Sequence, residues 1–252
     1  MSVACASCPV RDSAACSVLS EDERSDLAKA GRTVTLEKGE TLFAAGDADP
    51  VCATLVTGAM KVTSFDREGE ERIMALIHPS GFIGELFQPF AHHDVVALTD
   101  CRLCLFSRSS MELALERHPA LAMALLRRSQ DDLHAARELL ELTGKQDAQT
   151  RLAGLLLSMA RAASDSPCHP AGRFDLALSR GEMAQMIGVT IETVSRRMSR
   201  FEKDGLIARN GARGIELVDP ARLAALVGVG LQGVRPASSP VRGSDTLRPA
   251  PQ

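Results

Sequence analysis

The sequence predicts an α+β chain: an N-terminal β-roll, a long helix and a C-terminal winged helix-turn-helix. Three observations carry this. Short apolar runs separated by Gly-bearing turns fill residues 32–106. Leu126, Leu133 and Leu140 then recur at heptad spacing. Finally, two capped helical segments precede an Asn-Gly hairpin within residues 178–218. The 252 residues suffice for two small domains with cores of their own.

Residues 1–18 are rich in Cys, Ala and Ser and show no periodicity. Ser20 then opens a helix, with Glu23 at the capping-box offset. The roll follows as Thr33–Leu36, Thr41–Phe43, Cys52–Val56, Met60–Phe65, Arg72–Ile77 and a strand through Val95–Phe106. Its turns hold Gly39, Gly46, Gly58, Gly69 and Gly81. From Ser109 to Gly144 the period becomes helical, with Pro119 marking a kink or a fresh start. Ser129 and Ala136 interleave with the three leucines, giving one narrow seam of large and small residues that fits a homodimer. Asp147–Ala163 is a further helix, followed by a Pro/Ser/Gly loop from Ser164 to Gly172.

Ser179 caps the first helix of the DNA-reading element, Arg180–Met186, and Gly188 supplies the permissive turn. Thr190 caps the second, Ile191–Lys203, whose buried side is Val194, Met198 and Phe201. Glu192, Ser195 and Arg196 then share its first turns on the outer face, with Arg197 and Ser199 beside them. In the major groove of double-stranded DNA, Arg can grip guanine, Glu can accept from cytosine, and Ser can serve either way. The hairpin around Asn210-Gly211 reads as a wing, with Arg209 and Arg213 placed for phosphates.

Charge agrees with this division. Positions 1–144 sum to −8, positions 145–222 to +3 and the remainder to +2, so an acidic body precedes a mildly basic module. The aromatic residues are eight Phe, with no Trp or Tyr, which argues against stacking on single-stranded nucleic acid. No apolar run approaches a membrane span, and Met1–Cys5 lacks the basic and apolar regions of a secretory signal, so a cytoplasmic protein is expected. No G-x-S-x-G, P-loop or H-E-x-x-H pattern is present, and catalysis is not expected.

Seven cysteines without a secretory signal point to free thiols. Cys5, Cys8 and Cys16 form a C-x2-C-x7-C cluster, whose close pair can turn both sulfurs toward one metal or cluster. A fourth ligand could come from Cys52, Cys101, Cys104 or Cys168. Cys101 and Cys104 lie three apart on one strand and face opposite ways, so only one can reach a common site. Spacing alone does not choose between zinc and iron–sulfur. His92, His93 and His169 sit in polar stretches and read as surface residues.

The order of these parts over residues 1–225 resembles the Crp/Fnr superfamily of bacterial transcription regulators. Residues Leu36–Asp47 look like that family's cyclic-nucleotide-binding-type roll. Glu192-Thr193-Val194-Ser195-Arg196 is similar to the E-x-x-S-R recognition motif of the Fnr branch, whose dimers read palindromes with TTGA-type half-sites. The cysteine spacing resembles the Fnr subgroup that holds an oxygen-labile [4Fe–4S] cluster. The resemblance carries the ligand role to Cys5, Cys8, Cys16 and Cys104, with Ser107 standing where the family often has Pro. It implies a homodimer acting on DNA with RNA polymerase as a further partner, zinc being the lesser alternative. Cyclic nucleotide is disfavoured, because Asp94 follows Gly84-Glu85-Leu86 where a phosphate needs a cation. Rivals are a zinc or thiol switch, a nitric oxide sensor and a small-molecule-responsive regulator. The expected domains are a cysteine segment at 1–18, a roll at 19–108, a dimerisation helix at 109–144, a DNA-binding domain at 145–225 and a disordered tail at 226–252.

Overall fold

The computed structural model describes residues 5–48, 51–145, 147–164 and 169–228. Two short 3-10 turns, Cys5–Ser7 and Ala15–Val18, lead into α1 (Glu21–Ala30). The Ser20 hydroxyl accepts from the Glu23 N–H at 3.3 Å and the Glu23 carboxylate accepts from the Ser20 N–H at 2.8 Å, completing the expected capping box.

The roll is two four-stranded antiparallel sheets. Strands β1 (Gly31–Leu36), β8 (Cys101–Phe106), β3 (Cys52–Thr57) and β6 (Phe82–Ile83) form one, in that order. Strands β2 (Thr41–Phe43), β7 (Asp94–Ala97), β4 (Met60–Phe65) and β5 (Glu71–Ile77) form the other. Between them lies a core of Phe43, Leu55, Met60, Ile83, Val95 and Leu103. The single strand expected through Val95–Phe106 is in fact two. The chain changes sheets at Leu98–Asp100, where the Leu98 N–H donates to the Ala59 carbonyl and the Thr99 hydroxyl accepts from the Ala59 N–H. A strand must break there because its two halves pair with different neighbours.

The long helix is also divided. Ser107 caps α2 (Arg108–Arg117), and α3 (Pro119–Thr143) starts afresh with Pro119 in its first turn. Helix α3 buries Leu121 and Leu125 against the roll and half-buries Leu139 and Leu142 near its far end, while residues 129–138 between are exposed.

Helix α4 (Ala148–Ala162), capped by Asp147, is the core of the C-terminal module. Leu152, Leu155, Leu156 and Met159 pack with Met183 and Ile187 of α5 (Arg180–Ile187) and with Val194, Met198 and Phe201 of α6 (Ile191–Lys203). The wing has three strands, β10 (Ile207–Asn210), β11 (Gly214–Leu217) and β9 (Arg173–Asp175), in the order β10-β11-β9. Helix α7 (Pro220–Val227) closes the module under an Asp219 cap. Residues 226 and 227 are therefore helical, which corrects the tail start expected at 226; residues 229–252 lie outside the described residues.

The module rests on the outer face of the roll. Ala59, Ile73 and Leu98 share one apolar cluster with Leu155, Met183 and Ile187. On the same face of β4 the buried Lys61 ammonium pairs with the half-buried Glu71 at 2.6 Å. Thr63 is fully buried opposite Ile73, and its hydroxyl has no hydrogen-bond partner among the described residues. Among the described residues no helix is long and apolar enough to cross a membrane.

Candidate functional site

The cysteine segment is fixed by apolar anchors. Val10 and Ala14 are buried against Val56 of β3, and Cys8, Cys16 and Cys104 pack around that cluster. Backbone turns shape the segment: the Cys8 N–H donates to the Cys5 carbonyl, and the Ala14 N–H to that of Val10. The Arg24 guanidinium, buried under α1, donates to the carbonyls of Cys16, Ser17 and Leu19 at 3.3, 3.4 and 2.8 Å. Arg24 follows Ser20 and precedes Leu27 on the inward face of α1, a position the helical period gives, though not its burial.

Cys5, Cys8, Cys16 and Cys104 all line one cavity of about 390 Å³, walled by Val10, Val56, Phe106 and Leu125 and edged by the guanidinium groups of Arg11 and Arg24. Burial pushes the Cys104 thiol up to about 12, with the neighbouring Cys5, Cys16 and Cys8 adding to the shift. Burial and the same neighbours also raise Cys16, and burial with Cys8 raises Cys5. Cys5, Cys16 and Cys104, whose ionisation is hindered by burial and by neighbouring sulfurs, share an apolar wall with Cys8 and fit a cation-rich centre, which removes protons and satisfies charge.

The other described cysteines stand apart. Cys101 is buried in the roll core, its thiol donating to the carbonyls of Thr99 and Ala59 at 3.1 and 3.3 Å. Cys52 is buried beside Phe106, and burial raises its thiol to about 11. Cys101 and Cys104 thus face opposite sides of β8. Cys168 lies outside the described residues. Among the described residues no three His, Cys, Asp or Glu side chains converge on a single metal ion. One tetrahedral zinc at about 2.3 Å from each sulfur would hold its thiolates ~3.8 Å apart.

A second cavity, of about 610 Å³, lies between the roll, α3 and α4. Asp94 does not line it; the Asp94 carboxylate accepts from the Ala45 N–H at 2.6 Å. The Glu85 carboxylate occupies the wall instead, bonded to the His92 ring and to the His92 N–H.

On the DNA-reading face the helix pair has its expected form. Ser179 and Glu182 make a capping box, Gly188 takes φ +64° in the left-handed region, and the Thr190 hydroxyl accepts from the Thr193 N–H. Ala184 is buried where α5 crosses α6. Glu192, Ser195 and Arg196 are exposed together on α6. Hydrogen bonds from its own N–H and from the Thr190 hydroxyl hold the Glu192 carboxyl below its ordinary range.

Two expected contacts are engaged elsewhere. Arg197 turns toward the start of α4, donating to the Gln149 side chain at 3.2 Å and lying 3.8 Å from Asp147. Arg209 is paired with Glu202. Arg213 is exposed at the wing tip. Arg151, unremarked in the sequence, ties the start of the module together by donating to the carbonyls of Lys145, Ile187 and Gly188. Along α3, Leu126, Leu133 and Leu140 are 53%, 43% and 73% exposed, and Ser129 and Ala136 are exposed between them. Among the described residues nothing covers this apolar stripe.

Residues 33–118 match the family described as a cyclic nucleotide-binding domain, and residues 150–226 match the Crp-like helix-turn-helix domain. The transcriptional activator FnrL of Cereibacter sphaeroides is 34% identical over 87% of this chain and 90% of its own length. The transcriptional activator Anr of Pseudomonas protegens is 32% identical, over 84% and 86%. Among solved structures, FixK2 from Bradyrhizobium japonicum superposes with a TM-score of 0.71 at 28% identity, covering 78% of this chain and 96% of that one. A CooA variant from Carboxydothermus hydrogenoformans, at TM-score 0.69 and 22% identity, shares the fold over 86% of this chain and 96% of its own.

Proposed function

The chain belongs to the Crp/Fnr family of transcription regulators, and from that premise we propose that it is a cytoplasmic, oxygen- or redox-responsive member. In this reading a [4Fe–4S] cluster is held by Cys5, Cys8, Cys16 and Cys104. The observation that carries it is the shared cavity: four sulfurs from two distant parts of the chain line it, while Cys52 and Cys101 do not. The cluster, when bound, supplies a centre that oxygen dismantles. The rest is done by the chain. The four thiolates tie the N-terminal segment to β8, and Val10, Ala14 and Arg24 seat it against the roll and α3. With the segment seated, α3 presents Leu126, Ser129, Leu133, Ala136 and Leu140 to a second copy. Dimerisation sets two α6 helices one DNA turn apart, as a palindrome with TTGA-type half-sites requires. Glu192, Ser195 and Arg196 read base edges; Thr190 and Arg213 approach phosphates, and Arg197 and Arg209 hold the module in shape. RNA polymerase is the downstream partner.

The test is protein purified without air. Bound iron and sulfide, a brown visible absorbance, and retardation of a TTGA palindrome that fades together with that absorbance on aeration are the expected results. Tight operator binding by colourless, iron-free protein would reject cluster control.

A further inference from the structure

We infer that Arg128 is the positioning residue through which the cysteine segment sets the bearing of α3 on the roll. The inference deepens the reading above and rests on it for the nature of the signal. One nitrogen of Arg128, Nη2, faces three oxygens: the Ser13 carbonyl at 3.3 Å, the Ser80 carbonyl at 2.8 Å and the Ser80 hydroxyl at 2.8 Å. Ser13 lies between Cys8 and Cys16. Ser80 lies in the turn between β5 and β6. Arg128 itself stands on α3 between Leu126 and Ser129, so one guanidinium joins the cysteine segment, the roll and the stripe-bearing helix.

The donor count makes this joint sensitive. Nη2 carries two N–H groups and meets three acceptors, so Ser13 and Ser80 share them. Ser80 is also one of two non-glycine residues with positive φ among those described, at +72°, a conformation that its surroundings must hold in place. Both of its oxygens are held by Arg128. Beyond Arg128, residues 129–138 are exposed. Leu121, Leu125 and Arg128 therefore fix the roll end of α3, and Leu139 and Leu142 its far end, with the exposed stretch between them. When the segment leaves, the Ser13 carbonyl goes with it and the guanidinium is held by the Ser80 turn alone. The helix then loses its tie to the N-terminus at the residue that adjoins the stripe.

The experiment compares full-length wild type with Arg128→Gln and Arg128→Lys, each prepared without air and after aeration. Iron content and absorbance report loading, and sedimentation equilibrium reports dimerisation. Arg128→Gln should load as much iron as wild type, yet the ratio of dimer dissociation constants between aerated and anoxic protein should shrink at least tenfold. Arg128→Lys should recover part of that ratio, because an ammonium can still donate to Ser80 and Ser13. An unchanged ratio in Arg128→Gln, or a loss of iron that accounts for the whole change, overturns the inference. A second measurement needs no iron. Alkylating the cysteines of aerated protein with N-ethylmaleimide displaces the segment, and should speed hydrogen exchange at residues 80–82 and 126–133 in wild type. In Arg128→Gln, exchange there should already be fast and should not respond. If alkylation leaves α3 untouched in wild type, the tie is not a relay, whatever the metal content. Wild type without iron but with this response would defeat the cluster and leave Arg128 in its role.

Discussion

Arg196 and Arg197 are adjacent on α6, yet Arg197 donates to Gln149 of α4 at 3.2 Å while Arg196 stays exposed beside Glu192. The helical step of about 100° separates them: one points outward from the module, the other braces the helix against α4. Arg196→Ala should therefore relax discrimination at one base pair by about 1–3 kcal/mol and leave folding intact. Arg197→Ala should weaken all half-site variants by a similar factor and lower the melting temperature. Retardation measured across single-base operator variants separates the two patterns.

Leu133 is the central member of the α3 stripe and is 43% exposed within one chain. Leu133→Glu should leave the monomer's thermal stability within about 0.5 kcal/mol, as exposed substitutions do. A dimer seam would lose the burial of two leucines, each worth about 1.5–3 kcal/mol, plus the cost of opposing charges. Sedimentation should show the dimer weakened at least a hundredfold, with operator affinity falling alongside. A variant that pairs as tightly as wild type would place the dimer seam elsewhere.

Much of this architecture was legible because it is locally encoded. Ser20 with Glu23, Ser179 with Glu182, and Thr190 are caps whose partners lie within one turn, and Gly188 marks a left-handed position in the tight turn between α5 and α6. Helix α7 was missed despite local signals, an Asp219 cap and Pro220 in its first turn; the other elements missed are ones that a distant neighbour defines. Phe82–Ile83 is a strand through its pairing with β3, and Arg173–Asp175 through its pairing with β11. The break at Leu98–Asp100 has no glycine or proline to announce it; it exists because β7 and β8 belong to different sheets. In the site, the four cysteines were legible as residue types, but the cavity that gathers them depends on Val10 and Ala14 packing on Val56. Arg24, Arg128 and Arg151 look like ordinary helix-surface arginines until the carbonyls they serve, contributed by other segments, are in place.

Thr63 offers a test of how the C-terminal module sits on the roll. Its side chain is fully buried and its hydroxyl unpartnered among the described residues. An unmade buried hydrogen bond costs about 1–3 kcal/mol, and removing the polar atom at constant shape relieves it. Thr63→Val should therefore raise the unfolding free energy by about 1 kcal/mol in urea melts. Phe201→Ala, which empties a fully buried site in the C-terminal module, should lower it by about 3–5 kcal/mol. A destabilised Thr63→Val would mean that the hydroxyl is satisfied in solution.

His78, half-buried after β5, is the group from which an acid response is expected. Burial pushes its imidazole pKa down, so the folded protein keeps it neutral where the unfolded chain, at about 6.5, takes up a proton. The stability associated with neutral His78 is complete above the unfolded value and is lost as pH falls through it. Wild type should thus lose melting temperature between about pH 7 and pH 5 more steeply than His78→Gln. Parallel curves would assign the acid sensitivity to other groups.

Cys101 and Cys104 provide the sharpest test of the proposed metal site, because they share β8 and differ in the side they face. Cys104 lines the cavity with Cys5, Cys8 and Cys16, whereas the Cys101 thiol is hydrogen-bonded inside the roll. Cys104→Ser should lose bound iron and visible absorbance, since a serine hydroxyl is a poor substitute for a soft thiolate. Its melting temperature should change little, because Cys104 is only partly buried and the substitution removes little volume. Cys101→Ser should behave in the opposite way: iron retained in anoxic preparations, but stability reduced by about 1–2 kcal/mol where a buried, weakly polar sulfur is replaced by a smaller hydroxyl. Iron and sulfide assays alongside thermal melts read both halves. Loss of iron in Cys101→Ser with retention in Cys104→Ser would require the two faces of β8 to be exchanged, and would remove the geometric basis for the four-sulfur site.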